Sequence, residues 1–433
     1  MKLNFLSITI AILFIWNGLV FCDEWPDWRG LNRDGTWHET SVKKNFDSPQ
    51  IKIKWRVPIS SGYSGPTVAN RRVYITDRVK KPKDIERVMC FDAMTGEKIW
   101  SYSYNCKYSN VGYPNGPRAS VIIDGNRAYS LGTMGHLFCF QNKTGKVIWY
   151  KDLKDEYDIK MPTWGISAAP LIVDNKLVLN IGGRNNACVV ALNKITCKEI
   201  WKNLDDGASY SAPILIEQLN KPVVVIWTDH RVVGLNPNTG SIYWQHGFEQ
   251  KQMVINIATP VFYKNYLFVS NFFDGSMLLK LDTDKLSAVK VWHRAGKDER
   301  NTDALHSCIS TPLLKGDFIY GVDSYGELRC LELKSGDRIW EDLSAVNSNR
   351  WANIHFIQNG ELTYMFNENG ELIVGQLSPK GFQEISRAKL IDPTVGQLNR
   401  SGTGVTWAHP AFAYKHVYIR NDEELVCADL TEK

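Results

Sequence analysis

The chain has 433 residues, of which 44% are hydrophobic and 22% are charged, as in an ordinary globular protein. Its net charge of +5 is small and dispersed, with no basic stripe, so the sequence does not predict nucleic-acid binding. The absence of a Cys-x-x-Cys pair excludes zinc-ribbon and dithiol redox motifs.

Residues 1–22 resemble a secretory signal peptide. Lys2 supplies a positive charge, residues 8–20 form a mostly apolar core, and the residues ending at Cys22 offer a cleavage site. An alternative is that Cys22 is acylated as in lipoproteins, although Phe21 is bulky for that signal. We therefore expect an exported protein, periplasmic or extracellular, which touches a membrane only if Cys22 is lipidated.

Residues 23–50 form an extension ahead of a repeated region. The segment from Trp25 to Gly35 is aromatic, rich in glycine and carries both signs of charge. We expect this extension to pack across one face of the folded repeats. Arg29 or Arg33 paired with Asp34 would then be a local brace.

Seven tryptophans recur at nearly even intervals from residue 51 onward. A period of about 43 to 52 residues indicates a stack of similar units, each too small to bury its own apolar face. The positions are Trp55, Trp100, Trp149, Trp201, Trp244, Trp292 and Trp340.

Four of the units share a turn in which glycine stands four residues before the tryptophan. Strand-sized runs of β-branched and aromatic residues alternate with Gly, Asn and Asp, which favour tight turns. Four strands per unit, without a long amphipathic helix, predict a propeller blade. The signature glycines are Gly96, Gly145, Gly240 and Gly336.

The starts of the inner strands indicate eight blades. The last unit stops near Asp429, before its fourth strand, whereas an unassigned strand bearing Trp55 precedes the first unit. We therefore predict an all-β fold, an eight-bladed β-propeller of four-stranded antiparallel blades over residues 51–433, with the last blade closed by the N-terminal strand. The starts are Pro66, Pro117, Pro170, Pro213, Pro260, Pro312 and Pro410, and a start at Trp351 that lacks proline.

The tryptophans and the repeated cysteines are interpreted as structural. We expect the tryptophans to be plates packed between adjacent blades, although blade five has a turn two residues longer and blade seven has Ile385 in place of tryptophan. Four cysteines hold equivalent positions in different blades, beyond disulfide reach, and are predicted to be small buried groups. They are Cys90, Cys139, Cys330 and Cys427.

The repeated Asp-x-x-Thr-Gly-x-x-x-Trp pattern, with its proline-led inner strands, resembles the PQQ-type propeller repeat of the quinoprotein alcohol dehydrogenase-like superfamily. The resemblance covers residues 51–433. The segment from Trp25 to Gly35 resembles the N-terminal signature of exported PQQ-like repeat proteins that are abundant in planctomycete-type bacteria. Leu31 departs from the proline common there.

For catalytic members, the resemblance implies PQQ above the propeller axis with calcium, a general-base Asp, a stacking Trp and often a disulfide of adjacent cysteines. This chain has no adjacent cysteines and no cluster of acids at the blade starts to supply the six or more oxygens that calcium takes. No cofactor and no metal ligand are therefore predicted. PQQ with calcium belongs to an alternative in which Trp164 or Trp351 would stack on it.

Residues that enter the inner strands of a propeller surround the mouth of its central channel. Here they are aromatic and cationic, and together they could form a concave pocket for an anionic or planar ligand, a sugar or a peptide. A single histidine at such a place is more typical of hydrogen-bonded scaffold. The candidate binding residues are Tyr63, Arg118, Trp164, Tyr210, His306, Trp351, His355, Trp407 and His409.

Two functions fit these observations. The first is an exported, non-catalytic scaffold, monomeric, that presents the propeller face to a protein, peptide or carbohydrate partner. The alternative is a PQQ-dependent dehydrogenase of sugars or alcohols. No catalytic residue is predicted, because the chain lacks a Gly-x-Ser-x-Gly elbow and nominates no pair of carboxylates for glycoside hydrolysis.

Overall fold

The computed structural model describes residues 23–432, which form eight sheets of four antiparallel strands. The predicted signal peptide, with Cys22, lies outside the described residues. The first strands of neighbouring sheets contact one another around a central axis, so the sheets are the blades of a propeller. The predicted eight-bladed fold is confirmed.

The first strand, β1 (Ile53–Pro58), belongs to the last blade, and the other strands follow in chain order. Blade one contains β2 (Thr67–Ala69), β3 (Arg72–Val79), β4 (Ile85–Asp92) and β5 (Lys98–Asn105). Blade two contains β6 (Ile122–Asp124), β7 (Arg127–Leu131), β8 (His136–Gln141) and β9 (Val147–Asp152). Blade three contains β10 (Leu171–Val173), β11 (Lys176–Gly183), β12 (Ala187–Asn193) and β13 (Glu199–Asn203). Blade four contains β14 (Ile214–Gln218), β15 (Lys221–Trp227), β16 (Arg231–Leu235) and β17 (Ile242–Gly247).

The second half of the ring repeats this order. Blade five contains β18 (Val261–Tyr263), β19 (Tyr266–Asn271), β20 (Gly275–Leu281) and β21 (Ala288–Arg294). Blade six contains β22 (Leu313–Lys315), β23 (Phe318–Val322), β24 (Leu328–Glu332) and β25 (Arg338–Asp342). Blade seven contains β26 (Ile354–Asn359), β27 (Leu362–Asn367), β28 (Glu371–Ser378) and β29 (Gly381–Lys389). Blade eight contains β30 (Ala411–Ala413), β31 (His416–Arg420), β32 (Glu424–Asp429) and β1.

Helix is almost absent from residues 23–432. One helical turn, α1 (Leu153–Glu156), follows β9, and the Asp152 side chain caps its first amides. No helix in this part of the chain has the length and apolarity needed to cross a membrane. The eight cysteines in the same range are all buried and unbridged, as predicted for the four in equivalent positions.

The ladder tryptophans join each blade to the next. Six of the seven donate the indole N–H to a backbone carbonyl in the outer turn of the following blade, which confirms their predicted position between blades. The pairs are Trp55 with Ala93 (3.0 Å), Trp100 with Asn142 (2.9 Å), Trp149 with Lys194 (3.2 Å), Trp201 with Pro237 (2.9 Å), Trp292 with Leu333 (3.0 Å) and Trp340 with Ser378 (2.9 Å).

The signature glycines face these same indole rings. Gly145 has a φ of +70°, and a Cβ built on it would lie 2.6 Å from the ring of Trp100 in the preceding blade. Gly96 and Gly240 have the same relation to Trp55 and Trp201, at 2.8 Å and 2.5 Å. The motif therefore combines a turn that needs positive φ with a surface against which the neighbouring indole packs.

Trp244 is the exception, because the next blade carries the longer turn. Its indole N–H donates to the side chain of Gln218 at 3.1 Å instead of to a backbone carbonyl. The amide nitrogen of Gln218 in turn donates to the carbonyls of Asp282 (3.0 Å), Lys285 (3.3 Å) and Ser287 (2.8 Å). The Gln218 side chain thus supplies the hydrogen bonds that link Trp244 to the irregular turn.

The two ends of the chain meet in blade eight. β1 pairs with β32 in antiparallel register, with Trp55 opposite Cys427 and Val57 opposite Leu425. The predicted closure by the N-terminal strand is confirmed. This closure pairs the outer edge of β32, which would otherwise be open.

Residues 23–50, called here the N-terminal strap, contact one face of the ring. Trp25 pairs with Val68 of blade one at 2.7 Å, and the amide of Trp37 donates to Gln358 of blade seven at 2.8 Å. Further contacts reach blade two, through Pro26 and Ile123, and blade eight, through Lys43 and Leu430. The face that the strap contacts holds the hairpins between the first two strands of the blades.

The predicted Asp34 brace is wrong for Arg33. Its guanidinium pairs with Asp27 at 2.8 Å and donates to the carbonyls of Pro170 (2.7 Å) and Ala169 (3.1 Å) in blade three. The Asp34 carboxylate instead accepts from the amide of Thr36 within a local turn. Arg33 therefore ties the strap to the ring.

Candidate functional site

A cavity of about 410 Å³ lies on the axis of the propeller, at the end opposite the strap. It is formed by the connections that lead from one blade into the inner strand of the next, and it opens on that face. Its lining residues are Trp28, Tyr63, Tyr113, Arg118, Trp164, Ser167, Ala169, Tyr210, Ala212, Met253, Ile255, Ile257, Phe273, Cys308, Ile309, Arg350, Trp351, Trp407 and His409.

The structure brings seven of the nine candidate residues together around this cavity. They come from six inter-blade connections, which converge because every inner strand starts at the same end of the axis. The seven are Tyr63, Arg118, Trp164, Tyr210, Trp351, Trp407 and His409.

The other two candidates, His306 and His355, do not line the cavity. His306 is fully buried, and its ring nitrogens contact the carbonyl of Phe272 (3.0 Å) and the amide of Gly296 (3.1 Å). His355 contacts the carbonyl of Trp407 at 2.9 Å from behind the wall. Burial lowers the pKa of both rings, to about 4 for His355, so they are neutral scaffold groups at pH 7.

The strap closes the inner end of the cavity. Trp28 enters the axis and donates its indole N–H to the hydroxyl of Thr259 at 2.9 Å. The Trp28 ring lies 5.2 Å from that of His409, and the Trp25 ring stacks on the same histidine at 6.1 Å. Burial, together with the proximity of the His355 ring and the Arg29 charge, lowers the pKa of His409 well below its ordinary value. The floor is therefore aromatic and neutral at His409.

Aromatic rings form a nearly continuous belt above this floor. The ring of Tyr210 lies 4.8 Å from that of Trp164, and Tyr113 lies 6.3 Å from Trp164 and 6.1 Å from Trp407. These separations are those of offset or tilted aromatic pairs. The belt leaves ring faces and edges available to a ligand in the cavity.

Trp407 is held in place by buried charges behind it. Its indole N–H donates to the carboxylate of Glu368 at 3.0 Å, and Arg400 pairs with the same carboxylate. Burial raises the pKa of Glu368, while Arg400 and Trp407 favour its ionised form. The Glu368 carboxylate is thus fully engaged with the wall and does not line the cavity.

Two guanidinium groups contribute to the wall. Arg118 donates to the carbonyls of Gly112 (2.9 Å), Tyr113 (2.6 Å) and Gly116 (2.6 Å), and its charge lies 5.0 Å from the centre of the Tyr63 ring. Burial lowers the pKa of Arg118 below its ordinary value, but the group stays protonated at pH 7. It forms no ion pair within 4.0 Å with any carboxylate of the described residues.

The second guanidinium, that of Arg350, lies at the mouth. It stands over the rings of Trp351 (5.0 Å) and Phe272 (5.2 Å) and pairs with Glu299 at 2.8 Å. The Arg350 side chain is 43% exposed, so it is accessible to an incoming molecule. The charge of Arg350 is partly offset, whereas that of Arg118 is not.

The donor set of the cavity does not match calcium. Within residues 23–432, its lining includes no carboxylate and no side-chain amide, and its polar side-chain groups are hydroxyls, a thiol, an imidazole, indole N–H groups and the two guanidinium groups. Calcium takes six to eight oxygen ligands, mostly carboxylates and carbonyls. The lining residues therefore do not fit PQQ bound together with calcium.

A second group of ionisable residues lies outside the cavity. Asp206, Asp229 and His230 could approach one cation, but Arg231 already binds both oxygens of Asp206, at 2.6 Å and 2.7 Å. Thr228 donates to the same carboxylate at 2.8 Å. Asp206 is therefore an anchor for the β15–β16 turn.

Several lining residues were missed in the sequence. Trp28 stands in the strap, and only its entry into the axis assigns it to the cavity. Tyr113 precedes β6 by more residues than the candidates precede their own inner strands, whereas Arg350 stands at the usual distance before β26. Arg350 directly precedes the candidate Trp351, which was a usable signal.

Comparison with known proteins gives one family. The family model described as "Outer membrane protein assembly factor BamB" matches residues 109–342, more than half of the chain. The assembly factor BamB of Yersinia pestis is 24% identical over 296 residues, which are 64% of this chain and 67% of that protein. The quinoprotein ethanol dehydrogenase of Pseudomonas aeruginosa is 27% identical over 168 residues, which are 36% of this chain but only 26% of that enzyme.

The solved structures agree on the fold. BamB from Moraxella catarrhalis superimposes with a TM-score of 0.59 at 15% sequence identity, covering 87% of this chain and 99% of the other. At this identity the likeness shows the propeller architecture alone.

Proposed function

Because the chain belongs to the PQQ-like propeller family, whose matching model is described as "Outer membrane protein assembly factor BamB", we propose that it is an exported, non-catalytic propeller that binds a protein partner. The binding surface is the open face around the axial cavity. The alternative, a PQQ-dependent dehydrogenase of sugars or alcohols, requires a calcium site that the cavity lining does not supply.

The observation that carries this proposal is the composition of the open face. Aromatic and apolar side chains converge there from several blades, and among residues 23–432 the cavity lining includes no carboxylate. Met253 is 44% exposed at the mouth, and Val395, in the connection leading to blade eight, is 51% exposed. Exposed apolar and aromatic groups with an arginine at the rim are typical of protein-binding surfaces.

The partner surface is tested with paired variants on opposite faces. A double variant, Met253→Asp with Val395→Asp, is compared with Leu31→Asp, which changes an apolar side chain that is 66% exposed on the strap. Each tagged protein is expressed in the organism from which the chain comes and crosslinked in intact cells. We expect the proteins that crosslink to the unmodified chain to be lost with the double variant and retained with Leu31→Asp. Equal crosslinking by all three proteins would contradict a partner on the open face.

The enzyme alternative has a separate test. The purified protein is incubated with PQQ, calcium and an electron acceptor, and the oxidation of alcohols and sugars is followed. We expect no turnover and no change in melting temperature on adding PQQ with calcium. Calcium-dependent turnover would establish the dehydrogenase instead.

A further inference from the structure

We propose that the N-terminal strap is a pH-sensitive closure of the axis. When two buried histidines beneath it, His355 and His409, take up protons, residues 25–37 leave the ring while the eight blades stay folded. Trp28 belongs to this segment, so its release also opens the inner end of the axial cavity. The proposal concerns the end of the axis opposite the open face, and it does not depend on the proposed partner.

The two histidines form a pair at the contact between the strap and the ring. Their ring centroids lie 4.7 Å apart. Two strap tryptophans cover His409, with the Trp28 ring at 5.2 Å and the Trp25 ring stacked at 6.1 Å. His409 is therefore only 4% exposed, and departure of the strap would hydrate its ring.

Neither ring has a counter-ion for an added proton. The Nδ1 atom of His409 contacts the carbonyl of Pro410 at 2.6 Å, and the Nε2 atom of His355 contacts that of Trp407 at 2.9 Å. Among the residues that the structure describes, no carboxylate lies within 4.0 Å of a nitrogen of either ring. A carbonyl satisfies one N–H of a neutral imidazole, but it leaves the charge of an imidazolium uncompensated.

The charge that faces the pair is positive and belongs to the strap. Arg29 acts on both rings, and His355 acts on His409 as well. Arg29 is itself buried, and its guanidinium donates to the carbonyls of Arg33 (3.2 Å) and Asp34 (3.0 Å). Protonation of the histidines would therefore place new positive charges beside a buried cation of the strap, which favours its departure.

The direction of the pH effect follows from burial. Burial, reinforced by Arg29, lowers the pKa of His355 to about 4 and that of His409 well below its ordinary value of 6.5. In the released state both rings are hydrated and titrate near 6.5. The closed state therefore has its full stability above about pH 6.5 and loses it as the pH falls toward 4. For His355 alone, the equilibrium constant for opening rises about 20-fold between pH 7 and pH 5.

The strap can leave without opening a blade. Trp25 and Val68 exchange two backbone hydrogen bonds, at 2.7 Å and 2.8 Å, and the amide of Trp37 donates to Gln358 at 2.8 Å. Strand β1, which closes blade eight, begins after the end of the strap. All eight four-stranded sheets therefore stay complete when residues 25–37 detach.

Hydrogen exchange of the full protein, followed by mass spectrometry at pH 7 and pH 5, measures this opening. The rates of a peptide covering residues 24–38 are corrected for the intrinsic pH dependence of exchange. We expect the opening constant of the strap to rise at least tenfold from pH 7 to pH 5 and to stay at least 100-fold above that of β15 in blade four. A rise of less than tenfold, or equal exchange of the strap and β15, would overturn the proposal.

Variants assign the effect to the two histidines. The double variant His355→Gln with His409→Gln keeps side-chain donors for the two carbonyls but cannot titrate, so the rise should fall to threefold or less. His38→Gln is the matched control, because it removes an exposed histidine of the same strap, and it should keep the tenfold rise. A tenfold rise in the double variant would overturn the proposal.

The single variants guard against misfolding of the double variant. His355→Gln and His409→Gln each remove one titrating group, and a cooperative melting transition at pH 7 verifies that each protein is folded. In each folded variant we expect the rise to be at least threefold smaller than in the unmodified protein. An undiminished rise in both single variants would overturn the proposal.

Discussion

At the scale of single residues, the turn glycine of blades one, two and four serves two purposes. In the turns at Gly96, Gly145 and Gly240, positive φ closes the turn, and the missing side chain makes room for the indole of the preceding blade. The sequence spacing predicted a hairpin glycine at these positions, but it did not predict the indole ring that packs against each glycine. The contact with the indole crosses from one blade to the next, and spacing within a blade carries no information about it.

The first prediction separates these two purposes. Gly145→Ala is expected to lower the free energy of unfolding by about 2–4 kcal/mol, because the new Cβ would lie 2.6 Å from Trp100 in addition to the cost of φ +70°. Gly125→Ala is the control in the same blade, since its φ is +55° but nothing lies within 4 Å. It should cost only about 1–2 kcal/mol. Urea unfolding of both variants measures the difference, and equal losses would contradict the packing role.

Buried histidines predict sensitivity to mild acid. Burial depresses the folded-state pKa of His355 to about 4, below its ordinary value of 6.5. Between these two pH values His355 is protonated in the unfolded chain but neutral in the folded chain. The free energy of unfolding therefore falls as the pH falls from about 6.5 toward 4. At pH 5 this one site accounts for about 2 kcal/mol.

His355→Gln tests this effect, because glutamine can still donate to the carbonyl of Trp407. We expect the loss of unfolding free energy between pH 7 and pH 5 to be smaller in the variant by about 2 kcal/mol. The same experiment on His38→Gln, an exposed histidine of the strap, serves as the control and should show the unmodified pH dependence. An unchanged pH dependence in His355→Gln would contradict a neutral buried ring.

At the scale of single residues, part of the candidate site could be predicted from the sequence. Seven candidates line the cavity because each stands just before an inner strand, and all inner strands start at one end of the axis. His306 also precedes its inner strand, whereas His355 lies within β26, and both rings contact backbone carbonyls instead of lining the cavity. The direction of a side chain near the axis depends on the loop conformation, which the repeat does not specify.

At the scale of the blade, regular spacing made the strands predictable and left the irregular turn unexplained. The turn between Asp282 and Ser287 lacks the signature glycine and offers no suitable carbonyl to Trp244. Gln218, on the last position of β14, supplies the missing contacts with one side chain. Such a compensation joins two blades, so the sequence of either blade alone does not reveal it.

Gln218 should therefore be sensitive to substitution although no repeat motif includes it. Gln218→Ala is expected to lower the free energy of unfolding by about 2–3 kcal/mol, because the buried indole N–H of Trp244 and the turn carbonyls lose their partner. Glu217→Ala changes the adjacent, exposed residue of the same strand and should cost less than about 0.5 kcal/mol. Urea titrations compare the two. Similar values for both would show that the turn does not depend on Gln218.

At the scale of the whole molecule, closure was predictable because one strand was missing at the C-terminal end and one was left over near the N-terminus. The path of the strap could be predicted only in part. Its composition predicted packing on one face, yet the entry of Trp28 into the axis and the bonds of Arg33 to blade three depend on distances across the ring. Those distances are set by the packing of all eight blades, so the sequence of a single segment does not determine them.

Removing the closing strand should expose an edge. A truncated chain that begins at residue 59 lacks β1, so β32 presents unpaired backbone groups, and we expect dimers or larger species by size exclusion with light scattering. A truncated chain that begins at residue 51 keeps β1 and lacks only the strap, and should remain monomeric. A monomeric chain from residue 59 with an unchanged melting temperature would contradict the role of β1.

The meeting of both chain ends in blade eight also bears on how the protein is made. The ribosome produces β1 before the other strands and its partner β32 after them, so a nascent chain holds an unpaired β1 until β32 has been made. Folding that awaits such distant pairings is slow, and the waiting chain is prone to aggregate. Blades one to seven can form during synthesis, but the ring closes only once β32 is available to pair with β1.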